Sequence, residues 1–134
     1  MTNILIVWLV SILTLNGYSH LLGKLGNEEI ENIKYAHDRA IALNIDAEKF
    51  ILLQACESSF KSSARGDYRS ETNEYLAWGP YQWWLSSWNG YSKEYNYKGL
   101  RSNPKDNIDM AAFIISKGGI NNWFNCNKKI KMLK

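Results

Sequence analysis

The chain has 134 residues, 46% of them hydrophobic, which is enough for one domain with its own core. Its formal charge of +3 comes from lysine more than arginine, twelve against four. No basic stripe interleaved with aromatics accompanies that charge, so the composition suits a polyanionic surface and argues against a nucleic-acid groove.

Residues 4–15, from Ile4 to Leu15, are almost wholly apolar and uncharged. Twelve residues are too few to span a bilayer as a helix. Gly17 and Ser19 then stand at the −3 and −1 positions of a cleavage site. The pattern predicts a secretory signal peptide over 1–19, although no Lys or Arg precedes the apolar run. The alternatives are an uncleaved N-terminal anchor and a buried first helix. Residues 20–27 contain two glycines and are expected to be a linker.

Asn27 is a candidate N-cap, with Glu28 and Glu29 at the positive helix end. Ile30, Ile33, His37, Ala40, Ile41 and Asn44 follow at helical spacing and predict a helix over 28–44. His37 falls on its inner face, where a hydrogen-bonded core role is the ordinary expectation. Asp46 is the next N-cap candidate and opens a helix over 47–58. Phe50, Leu53 and Glu57 share one face of it. A carboxylate extending an apolar stripe is costly to ionise, which makes Glu57 a candidate general acid. The plain alternative is a helix-end Glu pointing into water.

Residues 61–77 read as a polar loop, either irregular or folded into a short hairpin. Among its acids, Asp67 is the candidate second carboxylate, the ordinary role of all three being solvated loop charge. Residues 75–97 then hold nine of the chain's 18 aromatics. Some must be core; others suit a carbohydrate cleft, where sugar C–H faces stack on rings. A short helix is expected over Trp83 to Trp88. Gln82 can donate and accept through one amide, which suits an acetamido group; a turn-stabilising role is its alternative. Asn103-Pro104 begins a further helix that Gly118-Gly119 ends, with Ile108, Ala111, Ala112 and Ile115 inward. Residues 128–134 make a basic tail.

Ala55-Cys56-Glu57-Ser58-Ser59-Phe60, then Gly79-Pro80-Tyr81-Gln82, then Trp123-Phe124-Asn125-Cys126, resembles the lysozyme-like superfamily. The nearest types are lytic transglycosylases, goose-type lysozymes and resuscitation-promoting factors. The resemblance covers roughly 46–126. It implies a mainly α domain over 28–127, with a cleft, in an exported, cell-wall-associated monomer. It implies a peptidoglycan-cleaving glycosidase with Glu57 as the acid and no metal or cofactor. Its partners would be glycan strands, without nucleic acid and without membrane once the leader is removed. By the same resemblance Gln82 lies in the sugar cleft, with Tyr81, Trp83, Trp88 and Ser58 as expected substrate contacts. A disulfide between Cys56 and Cys126 is implied, and two cysteines in an exported chain favour one. Two unlinked thiols, or a nucleophilic Cys56, are the alternatives. The late Tyr-Asn motif of many lytic transglycosylases is missing after Ile115. The non-enzymatic alternatives are a glycan-binding module of the same fold and a membrane-anchored envelope protein.

Overall fold

The computed structural model describes residues 3–130. The chain forms α1 (Asn3–Leu15), a 3-10 turn (Ser19–Lys24), α2 (Asn27–Ala42) and α3 (Ala47–Ser58). A small sheet of β1 (Arg65–Arg69), β2 (Glu74–Trp78) and β3 (Trp83–Trp84) follows, then α4 (Leu85–Tyr95) and α5 (Pro104–Ser116). A 3-10 turn (Ile120–Trp123) leads into α6 (Phe124–Ile130). The sheet is antiparallel in the order β1-β2-β3. The protein is therefore mainly helical, and the polar loop resolves into a hairpin rather than an irregular segment.

The helix ends follow local chemistry. Asp46 Oδ1 accepts from the Lys49 N–H at 3.0 Å and caps α3. Asn103 caps α5 by accepting from Lys105 and Asp106, with Pro104 in the first turn. Glu29 Oε1 accepts from the Gly26 N–H at 2.7 Å, so α2 starts one residue before the expected position. Gly17, at φ 83°, ends α1, and the Tyr18 N–H reaches back to Leu13 O at 2.8 Å.

Helix α3 runs through the middle of the core: Phe50, Ile51, Leu52, Leu53, Gln54 and Ala55 are all buried. Helix α2 packs against both α3 and α5. Its inner face is Ile33, Ala36 and Ala40, turned from the expected stripe, and Ile41 is 62% exposed. His37 is half-buried rather than in the core, with its ring edge on Trp8 and Nδ1 3.3 Å from Asp38 Oδ1.

The segment expected as a leader forms α1, whose Leu9, Ile12 and Leu13 enter the core while Ile4, Val7 and Leu15 face out. Met1 and Thr2 of that segment lie outside the described residues. The expected linker is a correction: Leu21 is buried, and Leu22 and Leu25 pack on the core, so apolar side chains dock the segment despite its glycines. The basic tail is shorter than expected, because Ile130 is buried and carries α6 through residue 130. Residues 131–134 of the tail lie outside the described residues. The short helix expected at Trp83 starts later and runs longer, because Trp83 and Trp84 pair with Trp78 and Ala77 of β2.

One buried side chain fastens the sheet to the helices. Asn107, fully buried in α5, accepts from the Tyr81 N–H at 2.9 Å and donates to Trp78 O and Arg101 O, each at 3.0 Å. Gly79, at φ +84°, lies against it; a Cβ there would stand 2.3 Å from Asn107 Nδ2. Asn107→Ala strands a buried donor and two carbonyls and is expected to cost about 3 kcal/mol. The midpoint of urea unfolding measures this. A loss below about 1 kcal/mol would show that the three bonds are not what holds the turn.

Candidate functional site

The end of α3 brings Glu57 to the surface beside the sheet. Ser59 and Phe60, at φ 54° and 69°, turn the chain away, and the Ser59 N–H closes on Ala55 O at 3.0 Å. Asn32 of α2 pins the departing chain by donating to Phe60 O at 2.7 Å and Ser62 Oγ at 3.0 Å. Helix α2 thus fixes the turn that follows Glu57.

Burial pushes the Glu57 carboxyl up to about 7, and the negative charge of Asp67 adds to the rise. Lys129 of α6 acts in the opposite direction. The Tyr18 phenol is raised first by its own burial and then by the charge of Glu57. Glu57 therefore sits among Tyr18, Asp67 and Lys129, which come from three separate parts of the chain. Asp67 itself is exposed on β1, at φ 53°, and its Oδ2 accepts from Trp84 Nε1–H at 2.8 Å. That bond places the 40%-exposed indole of Trp84 against the Asp67 carboxyl.

The other expected site residues divide. Gln82, at φ 51°, lies next to the same strand: its Oε1 is 2.5 Å from where a Cβ on Gly66 would stand. Its Nε2 donates to Ala64 O at 2.9 Å and Gly79 O at 3.0 Å, so its donors serve the turn and only its oxygen is left for a ligand. Tyr81 has no exposed surface; it stacks on Phe50 at 4.5 Å and donates to Phe50 O at 2.9 Å. It is a core residue, not a cleft ring. Trp88 is also buried, its ring edge-on to Trp83. Ser58 Oγ donates to Gln54 O at 3.2 Å inside its own helix. Trp83, though 3% exposed, lines a cleft of about 280 Å³ with Gln82, Trp84, Ser87, Asn122 and Trp123.

A disulfide joins Cys56 and Cys126, whose Cα atoms are 5.8 Å apart, and the described residues contain no free thiol. It fastens α6, with Lys129, to the residue beside Glu57. Trp123 strengthens the same closure by donating from Nε1 to Tyr81 O at 2.8 Å. Among the described residues no cluster of His, Cys, Asp or Glu is placed to hold a metal ion, and no helix is long and apolar enough to cross a membrane.

Sequence reasoning did not single out Trp84, Tyr18 or Lys129. The Trp83-Trp84 pair carried a usable signal, since a strand puts successive side chains on opposite faces and one ring must face out. Tyr18 and Lys129 had none, because each meets Glu57 only through tertiary packing.

Gln82→Ala is expected to cost about 1–2 kcal/mol, since Ala64 O and Gly79 O keep their backbone donors and lose only the side-chain bonds. Thermal unfolding checks this; an unchanged melting temperature would mean the amide does not hold the turn.

The fold and site together define a mainly helical, disulfide-tied domain with a half-buried acid, Glu57, that feels the charges of Asp67 and Lys129. Comparison with protein-family models, curated proteins and solved structures finds no significant match.

Proposed function

We propose that this protein is an exported, peptidoglycan-cleaving glycosidase of the lysozyme-like type, acting on the β-1,4 bond between N-acetylmuramic acid and N-acetylglucosamine. The observation that carries the reading is the Glu57 carboxyl, held near 7 by burial and by the charge of Asp67, the carboxylate that accepts from the exposed Trp84 indole. An acid with that proton affinity is half protonated at neutral pH, so it can give a proton and later take one.

In this reading Glu57 delivers its proton to the glycosidic oxygen as the bond to the anomeric carbon breaks. Positive charge grows on the sugar ring, and the negative Asp67 lies near enough to offset it. The carboxylate left on Glu57 then accepts a proton from the attacking oxygen. A water oriented by Asp67 gives hydrolysis; the muramyl 6-hydroxyl attacking in its place gives an anhydro end. Trp84 offers a ring face for stacking and holds Asp67 through its N–H.

The predicted test is turbidity loss of a suspension of purified peptidoglycan across pH. Activity is expected to decline above about pH 7, as Glu57 loses the proton it must donate. A rate that kept rising to pH 9 would contradict Glu57 as the acid.

A second reading is favoured by one observation. The outward face of α1 exposes Ile4 at 84%, Val7 at 65% and Leu15 at 79%, which suits an envelope protein held at a membrane surface. The mature N-terminus of the exported protein separates the two: a chain starting near His20 supports the secreted enzyme, and a retained Met1 supports the tethered form.

A further inference from the structure

Arg101 stands in the segment between α4 and α5, and two backbone carbonyls fix its guanidinium. Nη1 donates to Leu76 O on β2 and to Trp83 O on β3, each at 3.0 Å. Those two bonds use both hydrogens of Nη1. The other edge of the fork, Nε–H with the Nη2 hydrogens, has no hydrogen-bond partner among the described residues and is open to solvent. That edge carries the parallel N–H groups that match the two oxygens of a carboxylate or a phosphate. The carbonyls thus hold the fork in place before any ligand arrives.

The charge of Arg101 is uncompensated. Among the described residues no carboxylate lies at ion-pair distance from it or from Arg65. Asp106, which closes on the same segment, is taken by the Tyr97 hydroxyl and the Leu100 N–H. Burial pushes the Arg101 guanidinium below its usual range, and an arginine keeps its charge all the same. Arg65, exposed on β1, sets a second guanidinium 4.3 Å from the centre of the Trp78 ring; that of Arg101 is 5.4 Å from the same centre. Two like charges therefore bear on one indole, with no acid paired to either. Arg101 and Trp78 line a cavity of about 320 Å³, at the lower end of the range for small-ligand pockets, about 300–1,000 Å³. Neither Asp nor Glu lines it. The exposed Asn89 amide and Ser102 hydroxyl add neutral donors there, and the exposed Leu85 and Leu100 add an apolar rim.

We propose that this cavity binds an oxyanion, the carboxylate or phosphate group of a ligand, on the Nε–Nη2 edge of Arg101. Arg65 strengthens the attraction through its charge, and the anion relieves the repulsion between the two guanidiniums. The ligand class follows from the guanidinium pair and the acid-free lining, and it is independent of cleavage by Glu57. The formal charge of +3 attracts anions to the whole surface; the fixed fork of Arg101 gives them one place to dock.

The test titrates the full wild-type chain with inorganic phosphate and, separately, with succinate, at constant ionic strength. The readout is the Trp78 indole N–H signal in NMR spectra. Saturable movement is expected with at least one probe, and the tighter of the two identifies the group as phosphate or carboxylate. Arg101→Lys keeps the charge but loses the fork, and should weaken the midpoint by about tenfold. Arg65→Gln, at an exposed strand position, should weaken it severalfold and guards against misfolding of the Arg101 variant. Arg69→Gln removes the same charge from the same strand, but opposite Glu74 rather than Trp78, and should leave the midpoint unchanged. A Trp78 signal that moves saturably with neither anion would overturn the proposal. So would midpoints unaffected by the Arg65 and Arg101 substitutions, or weakened as much by Arg69→Gln. Failure of the cleavage reading would show separately, as absent turnover by the wild-type protein on purified peptidoglycan.

Discussion

Glu57→Gln is expected to leave the fold intact and to lower the rate of glycan cleavage by about 10²- to 10⁴-fold, the usual contribution of a positioned acid. Gln preserves the shape of the side chain and its hydrogen-bonding capacity but delivers no proton. The same substitution has a second, independent signature in stability. Glu57 titrates near 4.5 in the unfolded chain and near 7 in the folded one. Its folded value is raised, so the folded protein holds the proton more tightly. The stability this contributes is fully present below about pH 4.5 and is lost as pH rises through about 7. The size of that loss is on the order of 3 kcal/mol. Urea unfolding at pH 4 and pH 8 should therefore show a fall in the wild type that is much smaller in Glu57→Gln. Equal falls in both proteins would mean that the carboxyl is not held in its protonated form by the fold.

Breaking the disulfide is the other change with a large expected effect. The Cys56–Cys126 bond spans a sequence separation of 70. Releasing a loop of that size is expected to cost about 4 kcal/mol in the chain-entropy description. The bond also holds α6 against α3, so its loss frees Lys129, whose charge acts on Glu57. A Cys56→Ser, Cys126→Ser double variant should unfold at much lower urea and lose most of its cleavage activity before it unfolds. The pair of measurements checks the account: a stable variant with unchanged activity would show that the bond neither closes the domain nor shapes the site. Because Trp123 keeps its bond to Tyr81 O, the C-terminal turn should stay partly docked even when the sulfurs are parted.

Much of this arrangement was legible in the residues. Asp46 and the apolar run behind it marked α3 with its observed limits, and Asn103-Pro104 marked the start of α5, because caps act locally. Glu57 was legible for the same reason: its place on the Phe50–Leu53 face is a matter of helical spacing. The pairing of Cys56 with Cys126 was implied by the resemblance and is observed.

What was hidden depends on contacts across the chain. Tyr81 and Trp88 looked like cleft rings because composition does not tell a buried ring from an exposed one. Their burial is set by Phe50 on α3 and by Trp83 on β3, more than thirty residues and five residues away respectively. Gln82 looked like a sugar-binding amide, yet two backbone carbonyls take its donors, and one of them, Ala64, lies beyond the hairpin. Asn107 fastens the sheet through partners on two other segments, which helical spacing does not reveal. Residues 20–27 misled through their glycines, where the leucines decided the outcome.

The most direct measurement is mass spectrometry of the fragments released from purified peptidoglycan by the wild-type protein and by Glu57→Gln. The account predicts muropeptides cut at the N-acetylmuramic acid–N-acetylglucosamine bond, with reducing or anhydro ends, from the wild type alone. Muropeptides released equally by both proteins, or by neither, would contradict Glu57 as the acid of a glycan-cleaving site.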